Sequence, residues 1–340
     1  MTAKERLENL LTGRPVDRPP FMPAIYDLKP SLIQSPSHLF GQDEEGIIRA
    51  LSYEAEQFKA DSLTCAYDIY NIEAEAAGGI ISRDPTIHMP EIAGPLIRSL
   101  DKINTLPELE KLSGRMSIFV NAAKTIQLKY GDIIPVRGGL SGPFSMATKI
   151  YPEEELLMET YINPEGVLKL LRYCTDIIKL YAEAFVQVEV GVILFDSYVA
   201  PPMISPQTYR DLILPFHREI FSMLEDKGIL QRTLIVGGNT LPLVEDFIST
   251  GATQFLLDYN IPLEDIKAVL QDKPSTIFRV NLSPQLFINK NTEKLISVIN
   301  NTLNTLRDCK NLIIGTGILP PNAQVTSLIT AKETIVNFYK

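Results

Sequence analysis

Apolar positions recur along the chain in two alternating rhythms. Short runs rich in β-branched and other apolar residues fall at 21–24, 62–67, 133–137, 192–195, 233–236, 254–257, 276–280 and 312–314. Each is apolar along most of its length, as a strand covered on both faces should be. Between these runs the spacing changes to three and four. After Asn163-Pro164-Glu165, which offers an N-cap, a proline at the first helical position and an acidic first turn, residues Val167, Leu170, Leu171, Cys174, Ile177, Ile178, Tyr181 and Phe185 form one stripe. Ser205-Pro206 repeats that start ahead of Tyr209, Leu212, Ile213, Phe216, Ile220 and Leu224. Further helices are predicted over 44–58, 113–129, 240–249, 263–271, 285–306 and 322–338, whereas the proline-rich stretch 14–20 excludes helix. Strand then helix, eight times over, predicts an α/β fold: one (β/α)8 TIM barrel spanning 1–340 as a single domain. Residues 78–103, irregular and rich in Gly and Pro, predict an insertion after the second strand. A doubly wound open sheet is the alternative. Its expected G-x-G-x-x-G turn is not matched by the nearest stretch, Gly138-Gly139-Leu140-Ser141-Gly142-Pro143.

Charge and cysteine content narrow the function classes. With 32 basic and 41 acidic residues the net charge is -9, which argues against a general nucleic-acid binder. No apolar run reaches the roughly 18 residues of a membrane span, and the charged, amphipathic first eleven residues do not read as a signal peptide. The three cysteines (Cys65, Cys174, Cys309) and three histidines (His38, His88, His217) form no CxxC or HxxxH spacing, so no closed structural zinc site is expected. Sparse, odd-numbered cysteines fit a reducing cytosol and predict a cytoplasmic protein.

In a barrel of this kind the active site lies at the C-terminal ends of the strands. Those ends carry Tyr26 and Asp27, Asp68, Arg137, Asp196 and Ser197, Gly237 to Asn239, Asp258 and Tyr259, Asn281 and Thr316. Each aspartate alone reads equally as a turn or capping residue. Together, four carboxylates on one rim would repel, raise the pKa of at least one, and serve as a proton donor or as ligands of a cation. The cysteines read as packing or surface thiols, His217 as a helix-surface or interface residue rather than a base, and His38 as a solvated loop residue. His88, in the insertion, is the one histidine within reach of the rim if that insertion folds over it.

The strand-end segments carry a resemblance. Leu11-Thr-Gly-Arg-Pro-Val-Asp-Arg-Pro-Pro20, Asp61-Ser-Leu-Thr-Cys-Ala-Tyr-Asp-Ile69, Leu194-Phe-Asp-Ser197 with Ser205-Pro206 and Leu214-Pro215, Thr250 to Asp258, Val280-Asn-Leu-Ser-Pro284 and Gly315-Thr-Gly317 with Pro320-Pro321 resemble, in order, the uroporphyrinogen decarboxylase superfamily. Glu73-Ala-Glu-Ala-Ala-Gly78 resembles its corrinoid-dependent methyltransferase branch. The resemblance implies a single barrel in which Asp68 is the essential aspartate. The decarboxylase branch carries an arginine-rich segment after its first strand and a Gly-His-Gly near its last. Here Met22-Pro-Ala-Ile-Tyr-Asp27 has no arginine, and Thr316 replaces the histidine. In the methyltransferase branch, the resemblance puts the usual zinc ligands at Ile235, Gly237 and Thr316, none of which can bind zinc here. Asp27, Asp68, Glu73, Glu75 and His88 form an alternative, oxygen-rich metal set. The resemblance therefore predicts an enzyme moving a methyl group between a small substrate and a corrinoid (cobalamin) carried by a partner protein. Asp68 would polarise or protonate the substrate, Tyr26, Tyr67 and Asn239 would orient it, and Asp27, Arg137, Asp196, Ser197 and Asp258 would complete the binding set. A decarboxylase acting on uroporphyrinogen or another carboxylic acid, anchored by Arg137, is the alternative; a barrel that binds a ligand or a corrinoid protein without catalysis is a third. No nucleic-acid or membrane partner is expected, and a monomer and a homodimer both remain open.

Overall fold

The computed structural model describes residues 1–84, 89–289 and 291–340. Eight parallel strands curl into a barrel: β1 (Phe21–Ala24), β2 (Leu63–Cys65), β3 (Val136–Ser141), β4 (Gly191–Phe195), β5 (Arg232–Ile235), β6 (Gln254–Leu257), β7 (Ile277–Leu282) and β8 (Leu312–Ile318). Each pairs with its sequence neighbour from β2 to β8, and β8 pairs back onto β1 with Phe21 opposite Ile314 and Met22 opposite Gly315. The seam between β1 and β2 carries no ladder. Asp61 bridges it instead: its N–H donates to the Phe21 carbonyl (3.3 Å), and its carboxylate accepts the Phe21 N–H (2.7 Å). Arg6, Arg18 and Lys332 converge on the same carboxylate. Burial pushes the Asp61 carboxyl up, but Arg18 and Lys332 outweigh it and hold it at about 2.

The eight strands fall where the apolar runs predict them; one strand start and two helices depart from expectation in informative ways. The run at 133–137 starts the strand too early. Ile133 and Ile134 donate to the Tyr130 carbonyl and close the preceding helix, Arg115–Tyr130, so β3 begins at Val136. It then continues through two glycines, which pack like strand residues because larger ones would not fit: a Cβ at Gly138 would lie 2.5 Å from the Phe185 ring, and one at Gly139 2.4 Å from the Ala66 Cβ. The helix expected over 285–306 is two helices, Gln285–Ile288 and Thr292–Thr305, because Asn291 caps the second by accepting the Lys294 N–H (2.9 Å). The helix expected over 44–58 is regular over Glu44–Tyr53 and widens into a π turn at Glu54–Phe58, where Glu54 meets buried Lys29 at 2.9 Å. The expected insertion contains a two-stranded antiparallel ribbon, Ile81–Ser82 with Glu91–Ile92.

Strand alternation divides the side chains into two sets. Outward-facing Leu63, Val136, Leu140, Val192, Leu194, Phe255, Phe278, Val280 and Ile314 join the helices in the main core. Inward-facing residues form tiers. At the N-terminal end, Met22, Ile277 and Ile313 pack with Leu7 and Leu10 of the helix Ala3–Leu11, which closes the barrel floor. At the C-terminal end, Ala24, Tyr26, Ala66, Ile193, Phe195, Ile235 and Leu256 pack across the axis. The inward positions between them are polar and buried: Thr64, Arg137, Thr233, Gln254 and Arg279. Among the described residues no helix is long and apolar enough to cross a membrane.

Candidate functional site

The turn after β2 is the most constrained part of the rim. Asp68 and Tyr70 both adopt left-handed backbone, at φ 53° and 84°, which costs non-glycine residues conformational energy and persists only where neighbours enforce it. Arg115, the first residue of the helix Arg115–Tyr130, supplies that enforcement. Its Nη2 lies 2.7 Å from the Asp68 carboxylate, and its Nε donates to Glu75. Asn71 donates to the other Asp68 oxygen and to the Pro90 carbonyl (3.0 Å), tying the turn to the insertion. Asp68 has no exposed surface, and burial pushes its carboxyl up to about 6 against the pull of Arg115. Tyr67 packs edge-on against Phe40 at 4.7 Å and donates its hydroxyl to the Ser37 carbonyl at 2.6 Å. The strained turn brings Tyr70 across the mouth, where its hydroxyl meets the Ser197 hydroxyl at 2.6 Å. Asp27 lies on the same side, and burial raises its carboxyl to about 6 against the pull of Lys29.

Below this rim Tyr26 stands edge-on to Phe195 at 5.1 Å, and among the described residues its buried hydroxyl has no hydrogen-bond partner. Beneath Tyr26 lies Arg137. Its Nη2 donates to the Thr64 hydroxyl (2.9 Å), its Nε has no partner among the described residues, and burial lowers its pKa to about 10. Arg279 donates to Asn281 (3.1 Å) and to the Thr316 carbonyl (2.8 Å). Asp258 accepts the Tyr259 N–H (2.8 Å); burial raises its carboxyl, and Arg279 opposes that. Asn239 stands exposed on the rim.

Several expected site residues are placed elsewhere. Asp196 follows inward-facing Phe195, so alternation turns it outward into the helix layer. There it accepts the Ser145 N–H and hydroxyl (both 2.7 Å), the Phe144 N–H (3.3 Å) and a bond from His217 Nε2 (2.9 Å). It fixes the start of the helix Pro143–Ile150 rather than lining the mouth. His217 is therefore not a helix-surface residue: it is fully buried between Asp196 and the Tyr209 hydroxyl (3.0 Å). Cys309, read as a packing or surface thiol, is buried like Cys65 and Cys174. The carboxylate set does not converge. Glu73 holds the end of β3 through the Ser141 N–H and hydroxyl (both 2.7 Å), while Glu75 turns the other way to Arg115. His88 lies outside the described residues, and among the described residues no three His, Cys, Asp or Glu side chains cluster to hold a metal. At the positions where zinc ligands were considered, Ile235 joins the apolar tier, Gly237 has no side chain, and the Thr316 hydroxyl accepts the Ala24 N–H (2.9 Å). This donor set does not fit zinc. Arg115, Tyr70 and Arg279 were not anticipated; in sequence Arg115 falls in the first turn of the helix expected over 113–129, with nothing local to tie it to Asp68.

The profile of the family described as uroporphyrinogen decarboxylase (URO-D) matches residues 2–331. The chain belongs to this family. Among its relatives, the methylcobamide:CoM methyltransferase MtbA of Methanosarcina acetivorans is 24% identical over 334 residues, covering 96% of this chain and 94% of the relative. A uroporphyrinogen decarboxylase of Aliarcobacter butzleri is 28% identical over 222 residues, 62% of each chain. Among solved structures, a methyltransferase from Methanosarcina mazei superposes over 100% of both chains with a TM-score of 0.87 at 19% identity, a likeness of fold.

Proposed function

We propose that this member of the family is a methyltransferase that moves a methyl group between a small substrate and a corrinoid presented by a partner protein. The observation that carries this reading is the closed apolar tier beneath the mouth, Tyr26 and Phe195 with Ala24, Ala66, Ile193, Ile235 and Leu256. Such a floor suits a small molecule with an apolar body. A polyacid would need several cations at the rim, because unpaired like charges in a pocket cost several kcal/mol, roughly; the cations named around this mouth are Arg115 and Lys29, both already paired, with Arg137 and Arg279 below the tier. The full-length similarity to a methylcobamide:CoM methyltransferase supports the same reading.

In this reading Tyr26, Tyr70 and Ser197 orient the substrate through their hydroxyls, with Asn239 and Asp27 at the rim. The corrinoid supplies the cobalt–carbon chemistry. Tyr67 is engaged with Ser37 and supports the turn. Asp68 is a positioning residue: held by Arg115 and Asn71, it fixes the strained turn that carries Tyr70 to Ser197. No step runs through zinc. The test is the absorbance change of methylcobalamin, free or on a corrinoid protein, with thiols as acceptors, or of the reduced corrinoid with aryl methyl ethers, methylamines and methyl thiols as donors. Demethylation or methylation with one of them is expected; no change across the panel overturns the reading.

Arg137 favours a second reading, decarboxylation of a small acid. A guanidinium buried under the tier, whose one hydrogen bond among the described residues goes to Thr64, can take a carboxylate bidentately where a small acid passes between the side chains of the tier. Release of carbon dioxide from uroporphyrinogen or a smaller acid would put this reading first.

A further inference from the structure

Beside the mouth, a cavity of about 710 Å³ opens between the helices Leu263–Asp272 and Thr292–Thr305 over the ends of β6 and β7. Its floor is aliphatic, built by Ile266, Val280, Leu282 and Val298. Among the described residues its walls carry Asn260, Gln285, Asn289, Asn291 and Asn301, with carboxamide side chains, and one cation, Lys294; Asn281 also lines it, with its own carboxamide turned to Arg279. None of its 18 described lining residues is acidic. In a chain with 41 acidic residues and net charge -9, a cleft of that size free of carboxylates is a departure from the surrounding surface. Cleft and mouth share a wall. Tyr259 lines the cleft while its ring lies within 2.9 Å of where a Cβ on Gly317 would stand at the end of β8, and Asn281 lines it while accepting from Arg279 of the barrel interior.

A carboxamide both donates and accepts, so a wall of carboxamides is matched by a ligand whose own periphery is carboxamide. Apart from Lys294 such a wall has no charge to desolvate, whereas a ligand bearing several carboxylates would give up their hydration for one cation and otherwise neutral partners. A corrin ring has that periphery: methyl groups and neutral carboxamide arms around a flat macrocycle. We infer that this cleft receives the carboxamide-bearing edge of the corrinoid while the mouth receives its reacting face. The inference rests on the methyl-transfer reading for the identity of the ligand. The side chains named for the test, Asn260 and Asn301, are exposed and line the cleft.

The probe is hydroxocobalamin, which carries the corrin periphery and no methyl group to transfer. Equilibrium dialysis compares the wild-type chain with Asn260→Leu/Asn301→Leu, with thermal melting as a check that both fold. Loss of two amide hydrogen bonds is expected to weaken binding about tenfold, and to raise KM for methylcobalamin by about the same factor with kcat unchanged. Cobyrinic acid, which has carboxylates where cobalamin has carboxamides, is expected not to bind. Equal affinity of wild type and double variant, equal affinity for cobyrinic acid, or no binding of hydroxocobalamin by the wild type overturns the inference. Turnover of methylcobalamin with an affinity indifferent to the double variant removes the cleft and leaves the methyl-transfer reading intact. Binding of hydroxocobalamin that the double variant weakens, without turnover of any substrate, keeps the cleft and removes the reaction.

Discussion

Two aspartates close two strands of the same barrel, Asp68 after β2 and Asp196 after β4, and neither has exposed surface. Their surroundings differ. Asp196 accepts from two backbone N–H groups, one hydroxyl and one imidazole. Asp68 faces one guanidinium and one amide from a left-handed backbone, with burial holding its carboxyl near 6. Saturation by several oriented donors marks a carboxylate that holds structure together. Strain, incomplete solvation and a shared cation mark one that holds a functional turn in place. Burial and position at a strand end cannot separate the two; the partner atoms do.

The largest expected effect tests the structural member of the pair. Asp196→Ala strands His217, Ser145 and the Phe144 N–H, and should cost about 3–5 kcal/mol of folding stability, read by urea unfolding, while turnover per folded molecule is kept. Turnover falling further than stability would put Asp196 back at the mouth. Next comes Arg115→Met, which leaves the Asp68 and Glu75 carboxylates without their common cation. Methyl transfer should fall about 100-fold through misplacement of Tyr70, with a smaller loss of stability than Asp196→Ala. A variant that melts like Asp196→Ala and keeps full turnover would erase the contrast.

The pH dependence gives a finer test. The Asp68 carboxyl is ionised above about 6 and protonated below it, which breaks its pairing with Arg115, so kcat/KM should fall as pH drops through 6. Asp68→Asn should remove that limb, and Asp27→Asn should leave it. Asp27 is raised likewise, from 3.8 to about 6, so the folded chain holds more protons than the unfolded chain between those values. Its contribution makes stability fall as pH rises from about 4 to about 6. Asp27→Asn should therefore raise the melting temperature at pH 8 more than at pH 4. The smallest effect is expected for Ser197→Ala, which removes the partner of Tyr70 and should raise KM about threefold, in keeping with one hydrogen bond.

The barrel was legible in sequence because strands buried on both faces are written as short apolar runs, and all eight were found. Their ends were less legible. The closing turn of a helix is as apolar as a strand start, which misplaced the beginning of β3, and the cap at Asn291 is a single residue inside a long apolar pattern. At the site, strand alternation was the signal that separates Ser197 from Asp196: Phe195 faces in, so Asp196 faces out. The partnership of Arg115 with Asp68 spans 47 positions and has no local signature. His217, read as a helix-surface or interface residue, turns its side chain inward to Asp196, a partner 21 positions away with no local signature.

The helix Ala3–Leu11 that seals the N-terminal end turns the barrel from a tube into a cup. Anything seated against Tyr26 has one way in and one way out, past the rim on which the second reactant must also sit. A vessel with one opening imposes an order of events: the deeper molecule arrives first and departs last. Steady-state kinetics would record this as an ordered sequence, with the deeper product competing against the deeper substrate alone. The chemistry at the top is thus timed in part by nine residues at the opposite end, which never touch it.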